Sequence, residues 1–298
     1  MKPSDEGYQP KEPFDKKYGG RDSKSSYSGR DNNNSNERNL NQKSFSNFRS
    51  TPKKRENSFK PLKEGIRLNK FIANSGICSR READELIKSG LVLIDGQVVS
   101  EMGFMVLSTH EVKFDGNKVV PEKQTYVLLN KPKGFISTSN DERARKTVLD
   151  LVYNATPYRI YPVGRLDRQT TGVLLLTNDG ELTKKLTHPS SNIKKIYHVV
   201  LDKKLSHEDL ESIKTGVRLY EGVVPVDQIS YIEGTSKNEV GIEIHIGWNR
   251  VIRRLFNKLG YEVEKLDRVS FGGLTKKNLK RGDWRILDTK EVSFLKML

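Results

Sequence analysis

Aliphatic side chains are nearly missing from residues 1–64 and then recur with clear periods from Ile66 onward. The first segment is built from Ser, Asn, Lys, Arg, Gly and Pro, and Asp31-Asn32-Asn33-Asn34-Ser35-Asn36 is of low complexity. Such a stretch cannot bury enough apolar surface to offset chain entropy, so residues 1–64 are expected to form a disordered basic tail. Past it, Leu68, Phe71 and Ile72 fall at helical spacing, and Ser75-Gly76 ends that helix. Ser79-Arg80-Arg81-Glu82 has the spacing of a capping box and opens a second helix with Ala83, Leu86 and Ile87 on its apolar face, stopped at Gly90. Leu91 to Val99 reads as a hairpin turning at Asp95-Gly96. Gly116 to Thr125, with Pro121, reads as a linker, which gives a small helical and hairpin module over residues 65–125.

The pattern then changes. Tyr126-Val127-Leu128-Leu129 is an apolar strand broken by Lys131-Pro132-Lys133-Gly134, and Val173 to Leu176 is another, turned by Asn178-Asp179-Gly180. Glu181 to Leu186 reads as a short helix. Val240, Ile242, Ile244 and Ile246 alternate with polar or small residues as in a half-buried strand, closed by Gly247. Ile252, Leu255, Phe256 and Leu259 then mark one face of a helix ending at Gly260. Strands and helices mix without a regular βαβ repeat, so residues 126–298 are expected to be an α+β domain with a mixed or antiparallel sheet.

Charge narrows the class of partner. The chain carries a formal net charge of +15, and residues 1–64 hold 15 Lys and Arg against 9 Asp and Glu, so most of the excess falls on the ordered part. A basic folded surface suits a polyanion, although charge alone does not separate RNA from DNA or an anionic membrane. The single cysteine, Cys78, excludes an internal disulfide and a cysteine-based zinc site. The histidines His110, His188, His198, His207 and His245 have no close metal-ligand spacing, so no metal is expected. No apolar run reaches the ~18 residues of a membrane span, and the N-terminus lacks the apolar core of a signal peptide, so a reducing cytoplasm is the expected compartment.

Two constellations carry candidate chemistry. The helix pair gathers Arg67, Lys70, Arg80, Arg81 and Lys88, which could dock on phosphates or simply face solvent. Tyr161-Pro162-Val163-Gly164-Arg165-Leu166-Asp167-Arg168-Gln169-Thr170-Thr171-Gly172 sets Asp167 on a loop between glycines at the lip of a strand. Loops held by rigid strands are where reactive groups sit, but an aspartate in a turn more often stabilises the turn. Neither a GxxxxGK[ST] phosphate loop nor a GxGxxG fingerprint occurs.

Ile66 to Val99 resembles the S4-like RNA-binding domain, which implies recognition of RNA shape by the basic residues of its helices. Gly164 to Leu182 (GRLDRQTTGVLLLTNDGEL) resembles the active-site segment of the bacterial ribosomal RNA pseudouridine synthases of the RsuA/RluB type. Leu129 to Gly134, Lys195 to Val199 and Asn249 to Phe256 agree with the same family, in the same order. The resemblance covers about residues 66–290. It implies an enzyme that isomerises a specific uridine of ribosomal RNA, the large subunit favoured over the small, without cofactor. It makes Asp167 the catalytic carboxylate and Tyr197 the aromatic that stacks on the target base. Arg253 matches the family arginine that pairs with the aspartate, while Arg165 and Arg168 could hold RNA backbone beside it. Arg250 and Arg254 are expected to contact phosphates, and the partner would be ribosomal RNA or a pre-ribosomal particle, met by a monomer. One departure is Val251, where the family often has Gln. The alternatives are a non-catalytic ribosome assembly factor, which would lack Asp167, Tyr197 or Arg253, and a base-excising hydrolase, which would leave an abasic site.

Overall fold

The computed structural model describes residues 65–298; the expectation for residues 1–64 lies outside the described residues. The N-terminal module begins with β1 (Ile66–Arg67), α1 (Leu68–Asn74) and α2 (Arg80–Lys88). The capping box forms as expected: Ser79 Oγ accepts from the Glu82 amide, and the Glu82 carboxylate accepts from the Ser79 amide. There follow β2 (Val92–Ile94), β3 (Gln97–Val98), β4 (Met105–Val106), β5 (Val112–Phe114) and β6 (Asn117–Lys118). The β2–β3 hairpin turns at Asp95 (φ 50°) and Gly96 (φ 84°), the left-handed pair that such a two-residue turn demands. Four strands make an antiparallel sheet in the order β3-β2-β5-β6, and β4 returns to β1. Leu68, Ile72, Ala83, Ile87, Val92, Val112 and Val119 share one apolar core. The stretch read as a linker therefore starts too early, because β6 and the buried Val119 belong to the module.

The larger body is one mixed sheet dressed with helices. Its elements are β7 (Tyr126–Lys131), α3 (Val148–Leu151), β8 (Tyr161–Pro162), β9 (Thr171–Thr177), α4 (Gly180–Thr187) and β10 (Lys195–Leu201). Next come α5 (His207–Thr215), β11 (Arg218–Leu219), β12 (Gly222–Val223), β13 (Gln228–Tyr231) and β14 (Glu239–Ile244). The chain closes with α6 (Val251–Lys258), β15 (Val263–Phe271), β16 (Leu274–Thr275), β17 (Trp284–Ile286) and α7 (Thr289–Met297). The sheet runs β13-β14-β10-β15-β9-β7-β17, antiparallel except where β15 lies parallel to β9. The α+β class is as expected.

Its centre explains the unbroken apolar runs. All seven residues of β9 are buried, because both faces of the sheet are covered. Leu174 and Leu176 join a core with Val127, Val199, Leu255 and Phe256 on one face. Val173 and Leu175 pack with Leu182, Leu186 and Leu295, from α4 and α7, on the other. Where β9 begins, Gly172 (φ 110°) meets β15 so closely that a Cβ would stand 2.1 Å from the Arg268 carbonyl oxygen. Only glycine fits there, and this close approach fixes the loop that precedes it against the sheet. β15 escaped the pattern reading because Glu264, Lys265, Asp267 and Arg268 interrupt its apolar alternation.

Candidate active site

Asp167 stands on the loop between β8 and β9, and what holds that loop is a buried cation. Lys131, the last residue of β7, is fully buried. Its Nζ donates to the carbonyls of Thr170 (2.8 Å), Asp167 (3.0 Å) and Pro132 (3.2 Å). The loop is tied a second time at the Lys-Pro-Lys-Gly turn, where the Gly134 amide donates to the Arg168 carbonyl and Arg168 Nε to the Gly134 carbonyl. Burial pushes the Lys131 ammonium down to about 8; the nearby Asp167 opposes that, and Arg268 and Arg281 add to it. Two of the segments that the sequence singled out are thus one device, a rigid strand end gripping a loop backbone.

The loop faces a cavity of about 360 Å³. Asp167, Arg165 and Thr170 line it from the loop, Lys195 and Tyr197 from β10, Arg268 from β15, and Trp248 with Arg250 from the approach to α6. Tyr197 and Arg268 are direct cross-strand partners, so they lie side by side on the cavity floor. Lys195 Nζ donates to the Ile193 and His245 carbonyls, closing one wall; burial, helped by Arg268, pushes it down to about 8. The lining therefore sets aromatic and cationic groups around one carboxylate against an aliphatic wall (Ile244, Ile252, Leu266), a setting for a flat base on an anionic backbone.

A second carboxylate sits nearby, and its partners show which of the two is free to react. Asp267 on β15 is locked by Thr171, Arg281 and Lys276. Burial pushes its carboxyl up, but those donors outweigh it and hold the group below its ordinary value. Asp167, by contrast, has one side-chain partner among the described residues, Arg250 Nη1 at 3.4 Å, and its side chain is 33% exposed toward the cavity. Arg250 caps α6 in a left-handed conformation (φ 49°), uncommon for a residue with a side chain, and this places its guanidinium over the loop.

The RNA pseudouridylate synthase family model matches residues 125–258, and the S4 domain model matches residues 66–112. Ribosomal large subunit pseudouridine synthase B of Bacillus subtilis is 42% identical over 235 residues, spanning 78% of this chain and 96% of that protein. This chain belongs to the RNA pseudouridine synthases. The dual-specificity RNA pseudouridine synthase RluF of Escherichia coli is 34% identical, over 76% of this chain and 77% of that protein. Among solved structures, a pseudouridylate synthase crystal structure aligns with a TM-score of 0.56 at 27% identity, over 77% of this chain and 99% of that one.

In the synthase, Asp167, Tyr197 and Arg165 gather at one cavity, but the arginine helix differs from expectation. The guanidinium in contact with Asp167 belongs to Arg250, not Arg253. Arg253, one turn into α6, points toward β15 and donates to the Val263 carbonyl (2.6 Å), with its Nε buried and unpaired. Arg254 is taken by a two-pronged pair with Glu221 (2.7 and 2.8 Å). Arg250→Ala is expected to lower kcat/KM by about tenfold, roughly 1.4 kcal/mol, by freeing the carboxylate to rotate. Its unfolding midpoint should move little, since half-exposed pairs contribute ~0–1 kcal/mol; kinetics and melting on the same preparation check both.

The basic residues of the S4 domain divide as well. Arg67, Arg80 and Arg81 are exposed and carry no ion pair among the described residues. Lys70 instead reaches across to Glu181 on α4, and Lys88 pairs with Glu85 on its own helix. Arg159 donates to the Cys78 carbonyl, a second tie between the domains. Lys70 thus joins the two domains rather than being free for phosphate. Lys131, Lys195 and Arg268 were given no role in the sequence reading. Only Lys131 stands there as a lone cation at the end of an apolar strand, which is itself a signal; Lys195 follows Lys194, and Arg268 sits among the other charges of β15. Among the described residues, no cluster of His, Cys, Asp and Glu could hold a metal ion, and no helix is long and apolar enough to cross a membrane.

Proposed function

We propose that this synthase isomerises one uridine of large-subunit ribosomal RNA to pseudouridine, with Asp167 as the catalytic carboxylate and no cofactor. The observation that carries the assignment of Asp167 is its position: a carboxylate with one weak partner, at the lip of a cavity walled by Tyr197, on a loop whose backbone is clamped by Lys131. Preference for the large subunit rests on the Bacillus subtilis relative, whose name specifies that subunit. The S4 domain over residues 65–125 docks the RNA through Arg67, Arg80 and Arg81, and residues 126–298 form the catalytic body.

The chemistry needs no redox partner and no group donor. The bond between C1′ and N1 of uridine breaks, the base turns within the cavity, C5 bonds to C1′, the hydrogen on C5 leaves as a proton, and N1 takes up a proton, so the product is an isomer. Asp167 either attacks the sugar or base or abstracts a sugar proton to start this sequence. The target base must leave its stack to enter, and the Tyr197 ring offers it a face there. Arg253, one turn further into α6, braces that helix against β15 through the Val263 carbonyl and leaves Arg250 as the partner of Asp167. Arg165 and Arg250 hold the flanking phosphates at the rim.

The test is tritium release from RNA transcribed with uridine labelled at carbon 5, using large- and small-subunit RNA separately. Release near one equivalent from large-subunit RNA alone is the expected result. Release from small-subunit RNA alone would overturn the subunit assignment, and chain scission with aniline in place of release would identify a base-excising hydrolase.

A further inference from the structure

The hairpin β11–β12 ends in a residue that the fold does not use. Arg218 pairs with Val223 and Leu219 with Gly222, so Tyr220 and Glu221 form a two-residue turn. Tyr220 is 99% exposed. A tyrosine that packs on none of the described residues contributes no burial to this fold, yet the turn beneath it is firmly anchored. The Glu221 carboxylate accepts both Arg254 Nη1 and Nη2, and Arg254 Nε donates to the Asn249 carbonyl. Gly222 lies against the indole of Trp248, with a Cβ placed there 3.8 Å from the ring. Leu219 packs on the main core.

These anchors place the hairpin at the mouth of the cavity. Trp248, which Gly222 lies against, and Asn249, which is tied to the hairpin through Arg254, are both lining residues, and Arg250 follows them directly. The exposed aromatic is therefore mounted on a braced arm one step outside the site, with the exposed Arg218 beside it. We propose that Tyr220 stacks on an unpaired nucleobase flanking the target uridine, making the hairpin a docking arm for the RNA loop. The inference rests on the RNA substrate of the proposed function and extends it. Extruding one base leaves its neighbours without a stacking partner, and an aromatic face supplies one whatever their sequence. The cationic rim at Arg218 and Arg250 suits the phosphates on either side.

The test compares Tyr220→Ala, Tyr220→Phe and Tyr220→Trp in the full chain, on a protein-free large-subunit RNA fragment. The readouts are KM and kcat from tritium release, Kd from fluorescence polarisation, and the thermal midpoint. Tyr220→Ala should raise KM and Kd by roughly fivefold to a hundredfold, the range given by one base stacked on an aromatic, with kcat and melting little changed. Phe and Trp should restore wild-type binding. An Ala variant equal to wild type would overturn the inference. So would a Phe variant as weak as Ala, which would show a hydroxyl contact instead, or a defect confined to protein-containing particles, which would show a protein partner. A wild type that binds this RNA without releasing tritium would count against the proposed reaction, and Kd would still test the arm.

Discussion

Asp167→Asn is expected to abolish turnover, by at least about a thousandfold in kcat, while leaving fold and RNA affinity nearly intact. That loss corresponds to roughly 4 kcal/mol of transition-state stabilisation. The amide has the shape of the carboxylate and keeps an oxygen to accept from Arg250, so the geometry of the loop survives. It lacks the negative charge, so it can neither attack nor take a proton. Removing a general base costs about 10²–10⁴-fold, and removing a nucleophile costs ~10⁶-fold in a well-studied case, so the size of the defect also bears on the route. Stability should change by less than about 1 kcal/mol, because the only ion pair lost is long and part-exposed. Single-turnover tritium release, Kd for the same RNA and a melting curve measure the three quantities. Residual turnover within tenfold of wild type would remove Asp167 from the chemistry.

That separation of effects follows from how the site is built. Asp267, on strand β15, is held among Thr171, Lys276 and Arg281, so its removal would strip partners from several groups at once. Asp167 is supported through its backbone instead. Lys131 grips carbonyls and leaves the carboxylate almost without partners, so the reactive group is positioned without being neutralised. Under the role proposed for Asp167, stability and catalysis fall on different atoms of one residue.

Much of this was legible from the chain. The runs Tyr126 to Leu129 and Val173 to Leu176 announce strands because a residue buried on both faces has no polar position to spare. The Ser79 capping box and the Asp95-Gly96 turn are local, and local chemistry decided them. What pattern could not reach is contact across the sheet. β15 is hidden by four charged residues, although Asp267 and Arg268 are there because β9 and the cavity supply their partners. The same blindness explains the arginine helix. A period of 3.6 puts Arg250, Arg253 and Arg254 on known faces, but the left-handed backbone at Arg250 decides which of them meets Asp167. Lys70 was likewise counted as free for RNA because Glu181 lies 111 residues away in sequence.

Lys131→Met carries the second large effect, and it reaches the reaction only through position. The thioether fills the volume of the lysine stem but offers no donor to the Asp167, Thr170 and Pro132 carbonyls. Each buried acceptor left unmatched costs about 1–3 kcal/mol, and relief of the desolvated ammonium offsets part of that, so a net loss of roughly 2 kcal/mol is expected. The loop then shifts, and a displacement near 1 Å is enough to lower kcat by about a hundredfold. Lys131→Met should therefore lose kcat per folded molecule, with KM little changed and the alkaline fall in turnover blunted, whereas a merely unfolded fraction would lower the active-site concentration and keep the wild-type pH profile. Wild-type turnover should also decline as pH rises through about 8, where Lys131 and Lys195 both shed their protons and loosen the carbonyls they hold. The stability linkage of these amines has the opposite sign. Between about 8 and the ordinary lysine value of 10.5, the unfolded chain keeps a proton that the folded one has released, so their contribution to stability rises with pH. An alkaline loss of kcat without a matching fall in melting temperature would identify the clamp as the cause; melting that falls in step with kcat would show that the whole fold, not the loop, was failing.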